Sequence, residues 1–267
     1  MEQIRSALTE ATGLGTVTSV YFEGGEPFLF HPLMVAAVRE ARTRGFQVGI
    51  VTNAYWATTV EDAQIWLATL VELGISDLSI SDDAFHQDSD NNTAKNARKA
   101  AEALGIPVGS ICIDPPTVVA AEASEGNRGK PIVGGSVLFK GRAADKLVAD
   151  LPRRPRSTLK TCPHEELVNP ERVHVDAFGH VHVCQGISLG NMWQTPLSRL
   201  MKKYRAEDHP VVGPLVMGGP DELADVYGID AGDSFVDECH MCFLVRRALV
   251  DRFPEYLAPR QVYGIDK

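Results

Sequence analysis

Four cysteines cluster late in the chain: Cys162, Cys184 and the pair Cys239-His240-Met241-Cys242. A C-x2-C pair sets two sulfurs at a spacing that one metal can share. With Cys162 and Cys184 that makes four soft ligands, which suit a structural zinc ion or a [4Fe-4S] cluster alike. Nothing at the N-terminus reads as a secretion signal, so clustered thiols favour metal over disulfide. His164, His180, His182 and His240 lie near the cysteines and read as bystanders to a sulfur set that is already complete. The fifth cysteine, Cys112, falls in a strand-like run and reads as a buried hydrophobe.

A second set of residues sits where strand-like segments end. Gly24-Gly25-Glu26-Pro27 follows the run Thr16 to Phe22. In a parallel α/β sheet, ligands bind at the carboxyl ends of strands. Glycines there admit a ligand close to the backbone, and a carboxylate accepts hydrogen bonds from an ammonium group. A tight turn with an exposed Glu explains the same residues. Thr52-Asn53-Ala54, Ser81 with Asp83, Phe85 and His86, and Gly141-Arg142-Ala143 occupy comparable positions further on.

The elements that must position these groups alternate. Helical spacing runs from Pro32 to Arg44 and from Val60 to Leu73, and Gly45 and Gly74 end the two helices as C′ glycines. Phe46 to Thr52, Leu78 to Ser81, Val108 to Ile113 and Gly134 to Phe139 read as strands. Asn92 to Leu104 reads as a helix between them, and about Glu2 to Ala11 as a first helix. Strands alternating with helices of this length predict parallel βαβ units, wound into a barrel or an open doubly wound sheet. Leu151 to Thr161 is rich in proline and arginine and reads as a linker, with Arg153, Arg154, Arg156 and Lys160 solvated. Val173 to Ala177 and His180 to Val183 alternate around Phe178-Gly179 as a hairpin would. Short helices are expected at Leu197 to Tyr204 and Glu222 to Tyr227, and a final one at His240 to Arg252.

These motifs, in this order, resemble the radical S-adenosylmethionine superfamily. That resemblance implies an α/β fold: a partial (β/α)6 TIM-like barrel over residues 1–150, lacking its first strand and cluster loop. A small α+β cysteine-rich domain over 151–267 would follow, similar to the twitch or SPASM extensions. It also implies roles. Gly24, Gly25 and Glu26, followed by Pro27, would hold the methionyl amino group of S-adenosylmethionine. Asn53 would line the pocket, Ser81 would contact ribose or carboxylate, and Arg142 would lie near the cofactor or hold the end of the barrel. Asp83 would join the cofactor pocket or, with His86, serve substrate or proton transfer. Cys162, Cys184, Cys239 and Cys242 would bind an auxiliary [4Fe-4S] cluster, with zinc as the alternative. A full SPASM domain carries further cysteines after its C-x2-C, and none follows Cys242.

The superfamily's C-x3-C-x2-C belongs to the loop after its first strand, and no cysteine precedes Cys112. The sequence is therefore expected to begin just downstream of that motif, with Glu2 to Ala11 matching the helix that follows it. The implied parent activity is radical-based modification of a substrate, a peptide or protein by analogy, with a flavodoxin or ferredoxin as reductant. A non-catalytic, degenerate barrel binding a peptide beside a structural zinc site is the alternative. An ordinary sugar or nucleotide enzyme would leave the late cysteines unexplained. The 267 residues carry a net charge of -9, which argues against phosphate-backbone binding. No apolar run approaches the length of a membrane helix, so a cytoplasmic protein without nucleic-acid or membrane partners is expected.

Overall fold

The structure is a computed structural model that describes residues 1–83, 85, 92–121 and 129–265. The chain divides into two compact units, Met1–Pro115 and Pro116–Lys267. The division falls earlier than the boundary at residue 150 that the sequence suggests.

The first unit alternates helix and strand: α1 (Glu2–Leu14), β1 (Ser19–Phe22), α2 (His31–Thr43), β2 (Gln47–Thr52), α3 (Val60–Glu72), β3 (Asp77–Ser81), α4 (Thr93–Ala103) and β4 (Val108–Ile111). The strands form one parallel sheet in the order β1-β2-β3-β4, so each pairs with its sequence neighbour. Local chemistry explains the boundaries. Thr59 caps α3 by accepting the Asp62 N–H at 3.0 Å, and Glu61 and Asp62 place negative charge on its first turn. A buried alanine face on α4, with Ala94, Ala97, Ala100 and Ala101, lets that helix lie close to its neighbours. Val48, Ile50, Leu67, Leu70, Leu78 and Ile80 are wholly buried in this unit's core. Each contributes roughly 1.5–3 kcal/mol by leaving water.

The second unit holds β5 (Thr117–Ala120), β6 (Pro131–Gly134), α5 (Arg142–Lys146), β7 (Arg154–Pro155), β8 (His174–Val175), β9 (His180–Cys184), β10 (Ile187–Asn191), α6 (Leu197–Lys203), α7 (Val212–Tyr227), β11 (Ser234–Phe235) and α8 (Glu238–Leu249). Its strands pair antiparallel: β5 with β6, β7 with β11, and β8, β9 and β10 in a three-stranded sheet ordered β10-β9-β8. Its own core gathers Leu159, Val211, Leu223, Phe235, Phe243 and Leu249.

Three expectations are corrected. Gly134 to Phe139 is not a parallel strand; its first residue ends a hairpin strand and the rest is irregular. Cys112 is exposed, immediately after β4, because the strand stops at Ile111. The arginine-rich segment is not a linker, although Arg153, Arg154 and Lys160 are exposed as expected. Arg153 donates to the Ser234 carbonyl at 3.2 Å, and Arg154 pairs with Glu238 at 2.6 Å. Arg156 pairs with Asp221 at 2.6 Å and also with Asp225. Among the described residues the parallel sheet has four strands and does not close into a barrel, and no helix is long and apolar enough to cross a membrane.

Candidate metal centre and strand-end corner

Cys162, Cys184, Cys239 and Cys242 open onto a single cavity in the second unit. Three segments deliver them. Cys184 ends β9, while Cys239 and Cys242 lie on the first turns of α8. Asp237 starts that helix by accepting the His240 N–H at 2.7 Å, which fixes the C-x2-C pair on a rigid element. Cys162 sits on a loop pressed against a break in α7. There Gly218 and Gly219 leave helical geometry, and Gly219 takes φ 69°. A Cβ on Gly219 would stand 2.4 Å from the backbone of Lys160 and Thr161. Only glycine permits that approach.

The thiols are partly buried, and Lys140 and Arg246 line the cavity beside them. Burial pushes the thiols of Cys162 and Cys239 up from their ordinary value, and that of Cys242 to about 11. Such thiols give up their protons to a metal ion, whose charge replaces the lost solvation. Lys140 reaches Cys184 Sγ at 4.0 Å and shares its charge with Glu165 at 3.8 Å.

Arg246 is the residue that sequence reasoning missed. It is 1% exposed, and its guanidinium donates to the carbonyls of Cys242 and Gln185 and to the Tyr263 hydroxyl. Tyr263 also offers its ring face at 5.6 Å. None of these partners is a carboxylate. The negative groups that act on it are Tyr263, Cys242, Cys184 and Cys239, if ionised. The available signal was Arg246 four residues beyond Cys242 in a helix, one turn further along the same face.

Sets whose ligand atoms lie within 4.8 Å of one another are His164, Asp237 and Cys239, and Asp176, His180 and His182, among the described residues; the four thiols do not form one. Tetrahedral zinc at a Zn–S distance of about 2.3 Å holds its sulfurs roughly 3.8 Å apart. The four thiols are not gathered as closely as that.

The strand-end residues of the first unit are organised differently. Gly24 and Gly25 take φ 82° and 55°, and a Cβ on either would meet nothing within 4 Å. Their surface is open. Glu26, in contrast, is 6% exposed and turned inward. Its carboxylate accepts from the Phe28 N–H at 3.1 Å, the Thr52 hydroxyl at 2.8 Å and the Asn53 N–H at 2.8 Å. Pro27 begins the short 3-10 turn that follows. Thr52 also accepts from the Ala54 N–H at 3.0 Å and the Trp56 indole at 2.9 Å, and Trp56 stacks on Phe28. Glu26 thus ties the end of β1 to the end of β2, and Asn53 is brought beside it.

Asp83 plays the matching part after β3. It is 6% exposed and accepts from the Phe85 N–H at 2.9 Å and the Ile113 N–H at 3.3 Å, beyond β4. Ser81 is buried at the end of β3. Arg142 opens α5 in the second unit, after Gly141 at φ 59°. His86 lies outside the described residues. No known family model matches the chain, and no curated protein matches it.

Proposed function

We propose that this chain is a radical S-adenosylmethionine protein whose second unit holds a sulfur-ligated iron centre. The observation that carries the proposal is the pairing of four thiols on one cavity with a buried guanidinium that has no carboxylate partner among the described residues. A buried charge is tolerated when it is matched. Four thiolates on iron supply a net negative centre, and Arg246 is then its counter-charge. Cys162, Cys184, Cys239 and Cys242 would hold the cluster.

The first unit supports the cofactor half of the reading. Four parallel strands in sequence order carry no reversal, so the sheet lacks the switch point of a doubly wound fold. Right-handed crossovers in that order wind in one direction, as a partial barrel requires. The open backbone at Gly24 and Gly25 would accept the amino group, with Asn53 and Ser81 on adjacent strand ends. Glu26 and Asp83 would shape that edge rather than bind. S-adenosylmethionine would supply radical chemistry only at a cluster with an iron left open, and a four-thiolate centre leaves none. No C-x3-C-x2-C occurs in these residues, so Gly24, Gly25, Asn53 and Ser81 would bind and orient the cofactor without cleaving it. A peptide or protein substrate and a flavodoxin- or ferredoxin-like reductant complete the proposal by analogy.

A second reading keeps one zinc ion in a structural role, favoured by the tight set His164, Asp237 and Cys239. Anaerobic purification with iron, acid-labile sulfide and zinc analysis separates the two. About four irons and four sulfides per chain, lost together in Cys239→Ala with Cys242→Ala, is the expected result. One zinc and no sulfide would remove the iron centre from the proposal. Equilibrium dialysis with S-adenosylmethionine tests the first unit independently: binding weakened by Gly25→Val is expected, and no binding sinks the cofactor assignment.

A further inference from the structure

A second group of ligand-type side chains lies on the three-stranded sheet of the second unit. We propose that Asp176, His180 and His182 bind one divalent first-row transition ion of the zinc or ferrous class, using none of the four thiols. Strand alternation places the two histidines on one face of β9, and the register sets His182 opposite His174 on β8. Asp176 lies just past β8 and meets them across the turn. Its Oδ2 is 3.0 Å from His180 Nδ1 and 3.1 Å from His182 Nε2. The ligand atoms of all three residues fall within 4.8 Å of one another. Two imidazoles and a carboxylate, with positions left open, form the ligand set of catalytic zinc and non-haem ferrous sites.

The group is held before any ion arrives. Asp176 Oδ1 accepts from the N–H groups of Phe178 and His180, both at 2.9 Å, so the carboxylate cannot turn freely. Backbone pairing on both sides of β9 fixes the strand that carries the rings. His182 is 5% exposed, and its Nδ1 is buried without a partner among the described residues. Internal hydrogen bonding therefore accounts for one nitrogen of that ring and leaves the other as a cost. A ligand atom in a fixed place is what the arrangement gains.

Cobalt(II) titration of the whole purified chain, its thiol site already loaded, tests this. One further equivalent is expected, with visible bands that lack thiolate-to-metal charge transfer. His180→Ala, and separately His180→Gln, should weaken that equivalent by at least about tenfold. Iron and sulfide content should be unchanged in both variants, which also reports that they fold. Absence of the extra equivalent, binding insensitive to both variants, or charge-transfer bands showing the ion on cysteine would each overturn the proposal. In that case Asp176 is a turn residue that two ring N–H groups satisfy.

Discussion

Glu26 in the first unit and Arg246 in the second are both buried charges, and their surroundings treat them in opposite ways. Three donors from the fold itself converge on Glu26. Arg246 meets two carbonyls and a phenol, none of which carries opposite charge unless Tyr263 ionises. Burial likewise pushes the Tyr263 hydroxyl well above its ordinary value, so the phenol stays neutral beside it. A buried acid at a strand end is thus no sign of a ligand when the fold answers it. A buried cation left unanswered, beside four thiols, is such a sign.

The comparison breaks first at Arg246. With the thiol site loaded, Arg246→Leu should cost about 3 kcal/mol of unfolding free energy, because a buried anionic centre loses its counter-charge. With the metal stripped, the same change should be neutral or stabilising, since it removes an unmatched charge. Denaturant unfolding of both forms reads the sign, and an equal effect in each would dissociate Arg246 from the metal.

Glu26 should show no such dependence. Glu26→Ala leaves three inward donors unanswered and should cost about 3 kcal/mol. Glu26→Gln, which keeps an acceptor oxygen, should cost about 1 kcal/mol. Both values should be the same with and without metal, as thermal melts of loaded and stripped protein would report.

Gly219→Ala sharpens the second side of the comparison. Its Cβ has no room against the Lys160–Thr161 backbone, and its φ of 69° disfavours a side chain. A cost of about 2 kcal/mol is expected. Displacement of the Cys162 loop should also lower metal retention during chelator challenge. Unchanged retention would mean that the break in α7 does not set the position of that sulfur.

The smallest effect belongs to an answered group within the second unit. His209 Nδ1 accepts from the N–H groups of Val211 and Val212, and Nε2 faces the Ser188 carbonyl at 3.1 Å. Burial holds its ring below the ordinary histidine value. The unfolded ring takes a proton near pH 6.5, before the folded ring does. Stability is therefore complete above that pH and falls as the pH drops through it, until the folded ring also titrates. The slope in that window should approach about 1.4 kcal/mol per pH unit for this group. His209→Gln should flatten the profile between pH 6.5 and the acid transition.

The legibility of the sequence followed the range of the interactions. Helices α2 and α3 were readable within a residue or two, because apolar spacing and the stops at Gly45 and Gly74 are local. The four cysteines were grouped from their type and spacing, and the fold brings all four to the lining of one cavity. Pairing of Arg154–Pro155 with Ser234–Phe235 was not, since its partner lies far along the chain and two residues give no pattern. The strand Thr117–Ala120 is exposed at every residue and so shows no alternation between faces. Glu26 was recognised as special, but the direction of its carboxylate depends on Thr52 and Asn53, which only the folded register brings near. Arg246 hid within an otherwise ordinary helix.

The distribution of the four sulfurs along the chain has a consequence for how the protein is made. Synthesis proceeds from the N-terminus, and early segments fold while later ones are still being added. Cys162 and Cys184 emerge before α8 exists, so on the proposed assignment the nascent chain carries two of the four ligands until that helix follows. Lys140, which reaches Cys184, is already in place by then, whereas the buried Arg246 arrives on the same helix as the remaining pair. On the proposed assignment, loading would wait until α8 has been made.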